Sequence, residues 1–105
     1  MSIHYAREQL GNAVFATLAT GAGRIQERIV DAWVDSLIHI NEERDLPEDL
    51  RPRWEMIRAL VTHEPGPEGR GALRATVLPM DDEAAIEVAR HIVDFHRLVE
   101  DLPGS

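Results

Sequence analysis

The segment from Ile25 to Ile40 constrains the fold more than any other part of the chain. Ile25, Ile29, Trp33, Leu37 and Ile40 recur at three- and four-residue intervals, the spacing of one helical face. At about 100° per residue, Arg28, Asp31, Asp35, His39 and Glu42 gather in one narrow polar strip. Val30, Val34 and Ile38 carry the apolar surface round the other side, and only Gln26 and Glu27 interrupt it. A helix that is apolar over more than half its circumference needs more cover than one ordinary core face provides. It must lie centrally in the domain or against another chain. The pattern predicts a helix from about Gly23 to Asn41.

The flanking sequence reads as more helix. Ile3, Leu10, Val14 and Leu18 predict a first helix from about Ser2 to Thr20, capped by Ser2 and ended by Gly21 in a left-handed conformation. Gly11 inside it costs about 1 kcal/mol relative to alanine. It is either a point of close helix approach or a tolerated imperfection. Further on, Asp45-Leu46-Pro47-Glu48 has the look of a helix cap. Pro52 disfavours a helical Arg51. Pro47–Arg51 is therefore expected as a short helical turn, with a helix starting near Pro52 and burying Trp54, Ile57 and Val61. Glu64–Gly71 packs two prolines and three glycines into a loop. Leu73 and Val77 suit a short helix that Pro79 ends. The final helix, from about Asp81 to Leu102, buries Ala85, Val88, Ala89, Ile92, Phe95, Val99 and Leu102. Its opposite face is Glu83, Glu87, Arg90, Asp94, Arg97 and Asp101, with Arg97–Asp101 a modest pair. Arg74–Leu78 is the best strand candidate, but it is short and has no partner strand. The expected fold is all-α: a compact bundle of four main helices with one short additional helix. Residues 1–105 form a single helical domain with a Pro/Gly-rich loop at 64–71.

Composition narrows the function classes. At 44% apolar residues the chain is too hydrophobic for a disordered acidic tail. It has no cysteine, which removes disulfide and thiolate chemistry and suits a reducing compartment. The opening MSIHYAREQL lacks the pattern of a signal peptide. The longest apolar run, Ala13–Ala16, falls far short of the roughly 20 residues of a membrane span. A cytoplasmic protein with no membrane contact is expected. The net charge of −8 sets 19 acids against 11 bases, all of them arginine. That balance disfavours nucleic acid as a partner.

Few residues offer chemistry. Asp35 with His39, and Glu87 with His91, stand four apart, so each pair suits a two-ligand contribution to a polar or metal site. Solvated charge pairing predicts the same spacing and is the preferred reading. His96 falls within the apolar face of the last helix, as a neutral core histidine or as a contact residue sensitive to pH. Thr20-Gly21-Ala22-Gly23-Arg24 offers glycines and an arginine at a helix start, but a helix stop and restart explain it fully. Arg51, Arg53, Arg58, Arg70 and Arg74, with Trp33 and Trp54, are residue types found in binding patches, yet surface charge balance and core packing account for them. Ser2, Ser36 and Ser105 lie in no nucleophile motif. Neither Glu42-Glu43 nor Asp81-Asp82 converges for acid–base work.

The expected function is therefore non-enzymatic: a small helical interaction or regulatory protein acting as a homodimer or on another protein. No catalytic residue, metal or cofactor is expected. The surplus apolar surface points to Val34, Ile38, Ile86 and Val93, with His96, as interface. A small metal- or ligand-dependent enzyme or binding domain, built on Asp35, His39, Glu87 and His91, is the alternative. A nucleic-acid-binding regulator is a second.

Overall fold

The computed structural model describes residues 3–21, 23–66 and 71–103. All of the regular structure among them is helical. Helix α1 (Ile3–Gly11) runs on into a π-helical segment (Asn12–Leu18), marked by the bond from the Ala19 N–H to the Val14 carbonyl at 3.0 Å. Then come α2 (Ile25–Asp35) with a 3-10 turn (Leu37–His39), and the four-residue α3 (Glu42–Asp45). A second 3-10 turn (Glu48–Leu50) leads into α4 (Arg51–Thr62), followed by α5 (Ala72–Val77) and α6 (Asp82–Glu100). The four main helices and the short additional one stand as expected. No helix among the described residues is long and apolar enough to cross a membrane.

Helix α2 is central, packed against the π segment, α5 and α6, while α6 also touches α1 and α4. Every apolar position singled out on the first helix is buried: Ile3, Leu10, Val14 and Leu18. Trp54, Ile57 and Val61 face inward from α4, and Ala85, Val88, Ile92, Phe95 and Val99 from α6. At the centre Trp33 stacks on Trp54, with ring centroids 5.4 Å apart and planes 8° from parallel. Phe95 leans against Trp54 at 5.3 Å. Aromatic contacts of this kind add about 0.5–1.5 kcal/mol beyond the area they bury.

Several local expectations need correction. The first helix does not end on a left-handed Gly21; the positive φ belongs to Gly23, at 92°. Gly21 serves by its size, because a Cβ there would collide with the Thr17 carbonyl. Arg28 completes the turn, donating to the carbonyls of Gly23 at 3.0 Å and Leu18 at 3.4 Å. At Gly11 the backbone is ordinary α-helix and an added Cβ would meet nothing closer than 4.0 Å, so it is a tolerated imperfection. The second helix does not reach Asn41. Buried Ser36, at φ −134° and ψ −59°, breaks it.

The cap expected at Asp45 lies four residues earlier. Asn41 Oδ1 accepts from the N–H groups of Glu43 and Arg44, both at 3.0 Å. Asp45 Oδ2 in turn accepts from the Asn41 N–H at 2.9 Å, a reciprocal arrangement like a capping box. Arg51 is helical despite the proline after it. Its guanidinium donates to the carbonyls of Glu42, Glu43 and Leu46, and these tertiary bonds override the local preference. Asp81, as expected, caps α6 by accepting from the Ala84 N–H at 2.8 Å. Within the expected 64–71 loop, the Glu64 N–H donates to the Thr76 hydroxyl at 2.9 Å, pinning the loop's start to α5. Ser2, Ala22, residues 67–70 (with Arg70) and Ser105 lie outside the described residues.

Candidate functional site

The break at Ser36 decides what the end of α2 presents. It turns the backbone out of the α-helical path before Leu37, so Asp35 and His39 no longer share one continuous helical face. Both are exposed. Glu87 and His91 do keep the four-residue relation on α6, at 3.9 Å. His91, however, lines an open hollow of about 510 Å³ with Asp49, Pro52, Arg53 and Met56. The two pairs do not gather into one cluster. Among the described residues, no group of three or more histidine or acidic side chains is arranged to hold a metal ion.

The expected interface residues also separate. Ile86 lies beside Ile25 at the start of α2, in an open hollow of about 410 Å³. Val34 lies towards the other end of α2, roughly 13 Å from Ile25 at about 1.5 Å per residue, and Ile38 lies beyond the break at Ser36. Val93 is half-buried against the core, and His96 is buried. His96 meets the edge of Phe15 at 5.4 Å, and its Nε2 lies 3.3 Å from Glu100 without hydrogen-bond geometry. It thus takes the place of a core histidine roofed by Phe15, itself a large exposed apolar side chain that the helical pattern did not single out.

The end with Val34 and Ile38 is the more distinctive. Val34 is 47% exposed and Ile38 59%, on either side of the break at Ser36. Ile38 edges an open groove of about 240 Å³ between the α2 extension and α4, which Trp33, Leu37, Trp54, Arg58 and Thr62 also line. Trp54 is 1% exposed, and its indole N–H has no acceptor among the described residues. A second hollow of about 360 Å³ adjoins the groove, sharing Ile40 and Arg58 and adding Asn41, Glu42 and Glu43. Burial first, and then Glu55 beside it on α4, raises the Glu42 carboxyl above its ordinary range, against the opposing pull of Arg58. Arg58 Nη2 stands 3.8 Å from the buried Glu42 Oε2.

Three residues along α3 the balance reverses. Asp45 is fully buried, yet Arg44 donates to both of its oxygens, at 2.9 and 3.0 Å, and holds its carboxyl below the usual range. Arg44 also lies 5.4 Å over the Tyr5 ring, tying the corner to α1. Sequence reading missed this corner because its polar partners are close in space without matching any catalytic motif. It also missed the Glu42–Glu55 encounter, since the two acids approach only after α3 and α4 fold together. No protein-family model, curated protein or solved structure matches the chain.

Proposed function

We propose that this is a small non-enzymatic helical interaction protein, working through contacts with another protein or a second copy of itself. The observation that carries this reading is the rim of the α2–α4 groove. Ile38 stands there in solvent beside the nearly buried Trp33 and Trp54, and exposed Val34 precedes it on α2. Exposed aliphatic residues next to a rigid aromatic floor are the usual chemistry of a protein-contact hot spot. The wide apolar arc of α2 supports the same reading, since its central packing still leaves these two residues uncovered.

The test is sedimentation velocity together with affinity capture, comparing wild type with V34E/I38E. Circular dichroism should be the same for both, because the two side chains are on the surface. A dimer or a stoichiometric protein partner held by the wild type and lost by V34E/I38E supports the proposal. A wild-type monomer at tens of micromolar that captures the same proteins as V34E/I38E sinks it.

A further inference from the structure

We propose that α6 carries a self-complementary face on which two copies of the chain pair, α6 against α6, antiparallel about a two-fold axis. This deepens the interaction reading by naming a second copy, and it uses residues other than Val34 and Ile38. Ile86, Val93 and His96 fall with Ala89 in one row, because alternating steps of three and four residues keep side chains on one line of a helix. At about 100° per residue, Ile86, Ala89 and Val93 lie about 60–120° round from the fully buried Ile92, at the margin of the core. Ile86 is accordingly 45% exposed, and Ala89 and Val93 are half-buried. Neighbouring elements extend the row at both ends. Ile25 shares the open hollow at Ile86. Phe15, 65% exposed, packs against the His96 ring with centroids 5.4 Å apart. The two large exposed side chains of the face thus mark its opposite ends, since Ile86 and His96 stand roughly 15 Å apart along α6.

A two-fold axis turns the row end for end, so Phe15 of each copy covers the partner's Ile86, and Ala89 meets the partner's Val93 in the middle. The bordering charges select the same arrangement. Glu83, Arg90 and Arg97 recur every seven residues along the solvent edge of the row, and all three are exposed. The antiparallel pairing sets Glu83 against the partner's Arg97 at each end, giving two ion pairs per dimer. A parallel pairing would set like charge against like at both places. At the centre each Arg90 brings its own Glu87, 3.9 Å away, which offsets the approach of the two guanidiniums. The acids that terminate the row are accompanied too. Asp82 lines the Ile86 hollow with Arg24 and Arg28, and Glu100 lies 3.3 Å from His96 Nε2. These are four arginines and four acids, so the face carries little of the chain's net charge of −8.

The test is a charge swap read by sedimentation of the full chain. Wild type should be a dimer at tens of micromolar. E83R and R97E each place two pairs of like charges together and should each raise the dissociation constant about tenfold. E83R/R97E re-forms both pairs in the opposite sense and should return it to within about threefold of wild type. I86E, at an exposed position, should give a monomer with an unchanged circular dichroism spectrum, and V34E/I38E should leave the dimer intact. A wild type that is monomeric at tens of micromolar overturns the proposal. So does a dimer that I86E leaves undisturbed, one that V34E/I38E disrupts instead, or one that E83R/R97E fails to restore. A monomeric chain that captures another protein through Ile86 also overturns it, because a different chain then covers the face. The capture comparison with V34E/I38E decides separately whether the α2–α4 rim is a contact surface, so failure here leaves that reading standing.

Discussion

The two ends of α2 are built differently. At the start, long-range bonds hold the helix: the Gln26 amide nitrogen, on a residue only 2% exposed, donates to the Met80 carbonyl at 2.8 Å and to Asp82 at 2.9 Å, while Gln26 Oε1 has no partner among the described residues. Arg28 closes the preceding turn on two carbonyls. At the other end, Val34 and Ile38 stand in solvent, the Trp54 N–H has no acceptor among the described residues, and Glu42 faces another acid. A helix end bound through its side chains to distant parts of the chain holds the fold together. An end whose own aliphatic side chains stand in solvent has apolar surface left over for something outside the chain.

That contrast can be tested by breaking each end in turn. Trp54→Ala should be the most destructive change, removing the centre of the aromatic stack and costing about 3–5 kcal/mol in urea unfolding. Gln26→Leu tests the start of α2. It preserves bulk but removes the bonds to the Met80 carbonyl and to exposed Asp82, for a loss of about 0.5–1.5 kcal/mol. If Gln26→Leu proved neutral, the start of α2 would be no better tied than its end.

The corner acids should respond to pH with opposite signs. Asp45 has a lowered carboxyl pKa, so its contribution is complete above the unfolded value and is lost as pH falls through the folded one. Asp45→Asn should therefore cost about 1–3 kcal/mol at pH 7 and progressively less under acid, as measured by urea midpoints across pH. Glu42 has a raised pKa, so its contribution is complete below the unfolded value and is lost as pH rises through the folded one. Glu42→Gln should stabilise the chain at pH 7 by no more than about 0.5 kcal/mol, and the gain should vanish in acid. Two parallel pH profiles would contradict the different environments assigned to these acids. The smallest expected effect is that of Val34→Ser with Ile38→Ser, within about 0.5 kcal/mol of wild type by thermal unfolding. A larger loss would show that these side chains serve the fold itself.

Much of the fold was legible because it depended on periodicity. Leu10, Val14, Trp54, Ile57, Ile92 and Phe95 are buried as their spacing requires, and the short helix at Leu73–Val77 forms between Gly71 and Pro79. The candidate site was only half legible. Val34 and Ile38 emerged from the width of the apolar arc, whereas Glu55 and the Asn41–Asp45 pairing gave no signal of their own. Gln26 looked like an interruption of the apolar arc. It became a buried tie only because Met80 and Asp82, more than fifty residues away, come to meet it.

By itself the sequence determined the all-helical class, the inward faces of the main helices and the surplus of apolar surface on α2, because each follows from spacing along one segment. The tertiary structure alone decided that the surplus divides between two ends of the molecule, that Asp35 and His39 lie apart from Glu87 and His91, and that Glu42 meets Glu55 beside a tryptophan-floored groove. Those outcomes depend on the backbone break at Ser36 and on the angle at which α3 and α4 pack. A periodicity carries no information about either, because both are set by contacts between residues distant in the chain.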